Sequence, residues 1–294
     1  MRTLKTLPLA AVVLGSLCSP SLSVAKQATP DNVVEARARD EHKLSWNPFA
    51  VTLYKPNYIL PFFYSHSPND KNLGDIIPNN QGLNSTEVKF QFSIKFPLWE
   101  KVLNSPFSFY AGYTQNSYWQ AYSDSAFFRE TNYEPEIMVQ YDANYKIARD
   151  WELKFVNLSF SHQSNGRGGD IERSWNRLYL DAVFSNTNWM ITISPWIVLP
   201  EKSLHQYNPD IEHYLGHGKV LVAYKYHDHV FAVESRNNLE SAFQRGAVQV
   251  TWSFPMFNKV KGYIQFFNGY GQNLIDYNHR SNSIGIGIAL NDWI

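Results

Sequence analysis

Apolar and polar residues alternate with a period of two along most of the chain, and this alternation predicts strands with one apolar face. Val88, Phe90, Phe92, Ile94, Phe96 and Leu98 interleave with Glu87, Lys89, Gln91, Ser93 and Lys95. Val248, Val250, Trp252 and Phe254 interleave with Gln249, Thr251 and Ser253. The last stretch sets Ile284, Ile286, Ile288 and Leu290 against Ser283, Gly285, Gly287 and Ala289. Similar runs start near Phe49, Pro106, Pro135, Glu152, Trp175, Trp189, Lys219, His229 and Lys259, which brings the expectation to about twelve strands.

The connections between these runs alternate in length. Long ones are Asn69 to Ser85, Ala121 to Glu134, Asn165 to Ser174, Glu201 to Gly218, Arg236 to Ala242 and Tyr270 to Arg280; short ones lie near Asn104, Ala148, Thr187, Asp228 and Met256. Long loops at one end and tight turns at the other predict an all-β fold, a transmembrane antiparallel barrel of the outer membrane with an even strand number and both termini in the periplasm. Trp99, Trp119, Trp151, Trp175, Trp189, Trp196 and Trp293 fall near strand ends, as interfacial girdles require. A soluble β-sandwich with one polar face is the alternative reading of the same alternation.

The N-terminus is a different kind of segment. Met1 to Lys5 is basic, Leu7 to Leu17 is apolar, and Ser23-Val24-Ala25 supplies small residues, so residues 1–25 read as a signal peptide cut before Lys26. Cys18 follows the apolar run, but bulky Leu17 before it disfavours a lipoprotein. Cys18 is the only cysteine, so the mature chain has neither a disulfide nor a thiol nucleophile. Residues 26–46 are polar and charged and read as a mobile periplasmic leader; residues 47–294 read as the barrel domain. Aromatics make up 16% of the chain and the net charge is zero, which suits a membrane wall and offers no electrostatic case for nucleic acid.

The densest polar chemistry runs from Ser161 to Arg177. On the fifth predicted strand, parity puts His162 and Ser164 on the face of Val156, Leu158 and Phe160; on the sixth it puts Asn176 with Leu178, Leu180, Ala182 and Phe184. A hairpin centred on Gly168-Gly169 sets His162 opposite Asn176. Ser164 then lies about 7 Å along the strand and Asn176 about 5 Å across it, close enough for a nucleophile, a base and its orienter. Polar side chains at strand ends are often rim residues without function. Three of them on a lipid face are costly, however. The intervening loop also carries Asp170, Glu172 and glycine-freed carbonyls suited to a hard cation.

The strings Ser161-His-Gln-Ser-Asn-Gly-Arg167, Arg173-Ser-Trp-Asn-Arg-Leu-Tyr179 and Phe128-Arg-Glu-Thr-Asn-Tyr-Glu-Pro135 closely resemble the outer membrane phospholipase A family. So do Tyr113-Thr-Gln115, Asn208-Pro-Asp-Ile211 and Leu290-Asn-Asp292. The resemblance implies a twelve-stranded barrel, active as a homodimer formed with calcium, that hydrolyses phospholipid acyl esters (phospholipase A1/A2 and lysophospholipase type) in the outer leaflet. It implies that Ser164 is the nucleophile, His162 the general base and Asn176 its orienter. It implies Ca2+ held by Ser125 reached from the neighbouring subunit, by the carbonyl of Arg167, and by position 172, which is Glu172 where the family pattern has serine. The loop around Ser125 is shorter than the family pattern, and Asp124 is the natural substitute ligand. Gln115, on the outward parity of its strand, is implied at the dimer interface; otherwise it is a rim residue reaching for headgroups. A passive barrel without enzymatic activity, or a surface adhesin or protease barrel, would account for the fold without this chemistry. Gly285-x-Gly287 lies inside a strand and is no dinucleotide motif, and His227-Asp228-His229 reads as a solvated turn.

Overall fold

The computed structural model describes residues 32–44, 51–71, 73, 76–199, 207–237, 239–257 and 260–294. The expected signal peptide and Cys18 lie outside these residues. In chain order the elements are α1 (Val33–Leu44), β1 (Thr52–Leu53), β2 (Asn57–Ser65), β3 (Thr86–Trp99), β4 (Phe107–Gln120), β5 (Phe127–Ala148), β6 (Trp151–Ser164), β7 (Ser174–Ser185), β8 (Trp189–Leu199), α2 (Ile211–Leu215), β9 (Gly218–Tyr226), β10 (His229–Asn237), β11 (Gly246–Phe257), β12 (Val260–Gly269) and β13 (Ser281–Asn291).

Each strand from β2 to β13 pairs antiparallel with its sequence neighbours, and β13 returns to β2 to close the sheet. Closure removes both sheet edges and satisfies the backbone groups internally, the condition for strands in hydrocarbon. The two-residue β1 pairs with β3 just beyond β2, so it prolongs the first barrel strand past a break. The result is a closed antiparallel barrel of twelve strands, as the alternation predicts.

Three prolines inside strands coincide with register shifts: Pro61 in β2, Pro97 in β3 and Pro255 in β11. Proline has no N–H to give the ladder, so a sheet tolerates it at a bulge: Pro61 is itself unpaired, and Pro97 and Pro255 each stand next to the unpaired residue. At the closing seam, a Cβ on Gly287 would stand 2.1 Å from the Ile59 carbonyl oxygen, so only glycine lets β13 approach β2 there.

The apolar stripes face outward and the polar ones fill the lumen. Phe62, Ile137, Leu158, Ile197, Phe266 and Ile286 are exposed, whereas Lys89, Glu130, Glu136 and Gln265 are buried. Charged side chains inside find partners of opposite charge or a neutral acceptor. Arg129 binds Glu87 at 2.8 Å and Asp276 at 2.7 Å, and Lys89 donates to Gln265 at 2.6 Å. Asp276 belongs to the long β12–β13 connection, which therefore folds into the lumen. Trp99, Trp119 and Trp189 stand on the outer wall as a girdle requires. Trp175 and Trp196 do not: both are buried and pack edge to face inside. Parity decides this, because Trp175 lies one residue from outward Asn176.

The expected mobile leader is in part ordered. Helix α1 seats at the tight-turn end. Its Arg37 donates to the carbonyls of Trp293 and Tyr54 at 2.6 Å each, of Asp292 at 3.0 Å and of Leu53 at 3.2 Å. Lys154 reaches Glu35 of the helix at 2.6 Å, and Val33 joins Ile294, Val183, Met190, Leu221, Ala223, Val230 and Ala232 in an apolar cluster.

The β4–β5 connection is shorter than expected. Strand β5 already begins at Phe127, so Phe128 to Glu134 is strand rather than loop. A bulge pairs Tyr118 with Glu130 and Trp119 with Phe128, leaving Arg129 unpaired. The extra residue turns both Arg129 and Glu130 into the lumen.

Candidate active site

Strands β6 and β7 pair in the register that the glycine-centred hairpin predicts. Leu158 faces Leu180, Phe160 faces Leu178, His162 faces Asn176 and Ser164 faces Ser174. Leu158, Phe160 and Leu180 are exposed on the outer wall, which fixes the face shared by His162, Ser164 and Asn176. His162 Nδ1 and Asn176 Oδ1 lie 2.7 Å apart. With the asparagine oxygen as acceptor, Nδ1 carries the proton and Nε2 is left with a lone pair. Ser164 is two residues further along the same face, about 7 Å between Cα atoms by strand rise.

Alternate residues do something else. Ser161 points inward and donates to Glu134 at 3.0 Å, Arg177 donates to the same oxygen at 2.5 Å, and Lys55 binds the other at 3.1 Å. This cluster joins β5, β6 and β7 from behind. Trp175 donates to Gln163 at 2.7 Å, and the Arg177 guanidinium lies 4.2 Å from the Trp175 ring centre. A cavity of about 790 Å³ occupies the lumen beneath α1, but none of His162, Ser164 and Asn176 lines it. The candidate site is therefore on the lipid-facing wall.

Residues 165–173 connect β6 to β7 and are organised by Asn165. Its Oδ1 accepts from the Arg173 and Arg167 amides at 3.0 and 3.4 Å, and its Nδ2 donates to the Ile171 carbonyl at 2.9 Å. Gly166 and Gly169 take φ of 64° and 66°, values that a residue with a Cβ adopts only with strain. The Arg167 side chain turns away to the Phe128 and Arg129 carbonyls at 3.1 and 2.9 Å. Asn208, completely buried, exchanges hydrogen bonds of 3.0 and 2.9 Å with the Ser174 backbone, so its side-chain amide holds the start of β7 as a neighbouring strand would. Residue spacing gives no signal for the roles of Asn165 and Asn208; the resemblance alone marks Asn208.

Among the described residues no three His, Cys, Asp or Glu side chains form a cage for a metal. The donors at the loop are of another kind: the Arg167 carbonyl and the half-exposed Glu172 carboxylate, hard oxygens suited to calcium. Arg173 donates to the Asp170 and Glu172 carbonyls at 2.8 and 2.6 Å, which commits those two backbone oxygens. Ser125 sits in the separate β4–β5 loop beside exposed Asp124, its backbone clamped by the Gln81 amide at 2.8 and 3.3 Å. Gln115 faces outward. It accepts from Tyr113 at 3.0 Å and donates to Ser117 at 3.1 Å. His229, from the tempting His-Asp-His string, accepts from Trp252 at 3.2 Å on the outer wall.

Comparison with known proteins gives this geometry a family. The family model described as phospholipase A1 matches residues 34–290. The phospholipase A1 of Proteus vulgaris is 34% identical over 291 residues, covering 95% of this chain and 97% of its own. That of Escherichia coli K12 is 36% identical over 250 residues, 84% of this chain and 83% of its own. Among solved structures, the calcium-bound dimer of the Salmonella typhi outer membrane phospholipase superposes with a TM-score of 0.78 at 34% identity, over 85% of this chain and 96% of that one. The E. coli outer membrane phospholipase A gives 0.78 at 34% identity, over 84% and 100%. The chain thus belongs to the phospholipase A1 family and is an outer-membrane β-barrel.

Proposed function

We propose that this protein is a calcium-dependent phospholipase that hydrolyses acyl esters of outer-leaflet phospholipids through Ser164, His162 and Asn176. The 2.7 Å contact between His162 Nδ1 and Asn176 Oδ1 on the outer wall carries this reading, with Ser164 two residues along the same face. A solved relative, the E. coli enzyme with an active-site asparagine replaced, supports an asparagine in this role; it superposes with a TM-score of 0.77.

In this mechanism Asn176 holds the imidazole in the tautomer whose Nε2 accepts the Ser164 proton. The serine oxygen attacks the acyl carbonyl. When the tetrahedral adduct collapses, the same nitrogen returns the proton to the departing lysophospholipid oxygen. Water, deprotonated by His162, then frees the fatty acid and restores the hydroxyl. Asn176 offers no charge to the imidazolium, but a neutral amide is cheaper to seat against lipid than a carboxylate. The Arg167 carbonyl and Glu172 would hold calcium, with Ser125 or Asp124 of a neighbouring subunit completing the set. Calcium bound there supplies an electrophile for the ester carbonyl and its developing oxyanion. Both A1 and A2 positions, and lysophospholipids, expose the same ester chemistry to this serine.

The passive-barrel alternative meets a lumen crossed by the Arg129, Glu87 and Asp276 ion pairs and by Lys89 to Gln265. The deciding measurement is fatty-acid release from mixed micelles of phospholipid and detergent, with calcium and with EDTA. Wild type is expected to act only with calcium and Ser164→Ala not at all; undiminished release by the alanine variant rejects the reading.

A further inference from the structure

Glu130 is fully buried at the long-loop end of the lumen, and its two carboxylate oxygens hold two different loops. Oε1 accepts from the Ile275 amide at 3.2 Å and from Asn132 Nδ2 at 2.6 Å; Asn132 Oδ1 in turn accepts from the Leu274 amide at 3.0 Å. These contacts seat the loop between β12 and β13. Oε2 faces Asn165 Nδ2 at 3.5 Å and Arg167 Nε at 3.6 Å. Those two residues organise and belong to the loop that carries the candidate calcium donors.

We propose that Glu130 is a positioning residue that couples the seating of the β12–β13 loop to the geometry of the calcium-binding loop at residues 165–173. This rests on the calcium reading above and adds to it a distant input. The physical argument is donor counting. Around Glu130 four N–H groups converge on two oxygens: one from the β12–β13 loop, one from Asn132 on β5, and two from the β6–β7 loop. Asn165 also ties both ends of its loop, through the Arg167 and Arg173 amides and the Ile171 carbonyl. A shift at Glu130 is therefore transmitted to the Arg167 carbonyl through one side chain rather than through a chain of loose contacts. On the other side, Leu274 and Ile275 are buried, and the next residue, Asp276, is locked to Arg129. Displacing the β12–β13 loop withdraws the Ile275 amide from Oε1 and the Leu274 amide from Asn132, which loosens the hold on that oxygen and lets the carboxylate turn.

The substitution Glu130→Gln separates the two halves. Its amide oxygen can still accept from Ile275 and Asn132, but its NH2 then meets Asn165 Nδ2 and Arg167 Nε, donor against donor. The test is calcium binding itself, by equilibrium dialysis of 45Ca2+ against the full-length protein in detergent, with heat-modifiable gel mobility as the check on folding. Partners behind metal ligands are commonly worth about tenfold or more in affinity. Glu130→Gln is accordingly expected to weaken calcium binding by about tenfold, with hydrolysis recovered at saturating calcium. Asn132→Leu, which touches only the β12–β13 side, is expected to weaken it in the same direction, and it carries the test if Glu130→Gln does not fold. Unchanged calcium affinity in a folded Glu130→Gln, or in Asn132→Leu, overturns the coupling. A wild-type protein that binds no calcium while hydrolysing lipid overturns the calcium reading instead.

Discussion

Arg177 and Glu134 meet at 2.5 Å inside the barrel, directly behind the strand positions whose outer side presents His162 and Asn176. Ser161 is the register partner of Arg177 and donates to the same carboxylate. The wall is thus held to one register from within, and a slip of one residue would send His162 and Asn176 to opposite faces. Glu134→Gln leaves a guanidinium without its partner in a nearly buried setting. The expected loss is about 3 kcal/mol of barrel stability, read from urea unfolding followed by gel mobility. Removing both charges, as Glu134→Gln with Arg177→Met, is expected to cost less than either single change predicts.

The members of the triad differ in what they lose. On the proposed mechanism His162→Ala removes the general base, and it is expected to lower kcat by about a thousandfold or more. Asn176→Ala leaves the base in place but lets the ring turn, so a fall of about ten- to a hundredfold is expected. Equal losses for the two, measured on one lipid substrate, would argue against Asn176 as an orienter.

Glu172 is the candidate calcium ligand on the β6–β7 loop that offers a carboxylate side chain. Replacing it by glutamine keeps an oxygen donor and removes the charge, so the calcium needed for half-maximal activity is expected to rise about tenfold or more. A calcium titration of hydrolysis reads this directly, and EDTA is expected to abolish hydrolysis in both proteins.

Gln115 is already engaged within its own subunit, by Tyr113 and Ser117, and Thr131 adds a 3.2 Å contact to Ser117. A polar ladder of this kind on a lipid-facing wall can turn its remaining hydrogen-bonding capacity toward a second copy. Gln115→Leu is expected to weaken calcium-promoted crosslinking into dimers, by about 1 kcal/mol of association. Crosslinking that is identical in the variant would leave Gln115 as a rim residue.

The barrel and its most reactive-looking cluster were legible because both depend on periodicity. Alternation names the two faces of β6 and β7, and one glycine-centred turn then sets the pairing of His162 with Asn176. What alternation cannot supply is a position where the count changes. The bulge at Arg129 turns two consecutive residues inward, and no local composition announces it. The same limit explains Trp175 and Trp196: a tryptophan near a strand end suits a girdle only if its parity points outward. The polar sequence of helix α1 reads as a mobile leader because nothing in it has a reason to order by itself. Its seat is made by carbonyls from Leu53, Tyr54, Asp292 and Trp293, which are distant in sequence from Arg37.

The seam between the last and first strands offers a test of closure. Gly287→Val would push a side chain into the Ile59 carbonyl, 2.1 Å from the nearest Cβ position, and backbone on both sides resists the shift. Loss of the compact, heat-modifiable band is expected, whereas Ile286→Val on the exposed face is expected to fold as wild type does.

On the proposed mechanism, a serine on the outside wall of the barrel changes what encounter means. A substrate need not leave its own leaflet to meet it, so arrival is a search in two dimensions and concentration is counted per area of membrane. Diluting the lipid with inert detergent would slow such a catalyst at constant bulk lipid, while diluting the whole suspension with buffer would leave the rate per protein nearly unmoved.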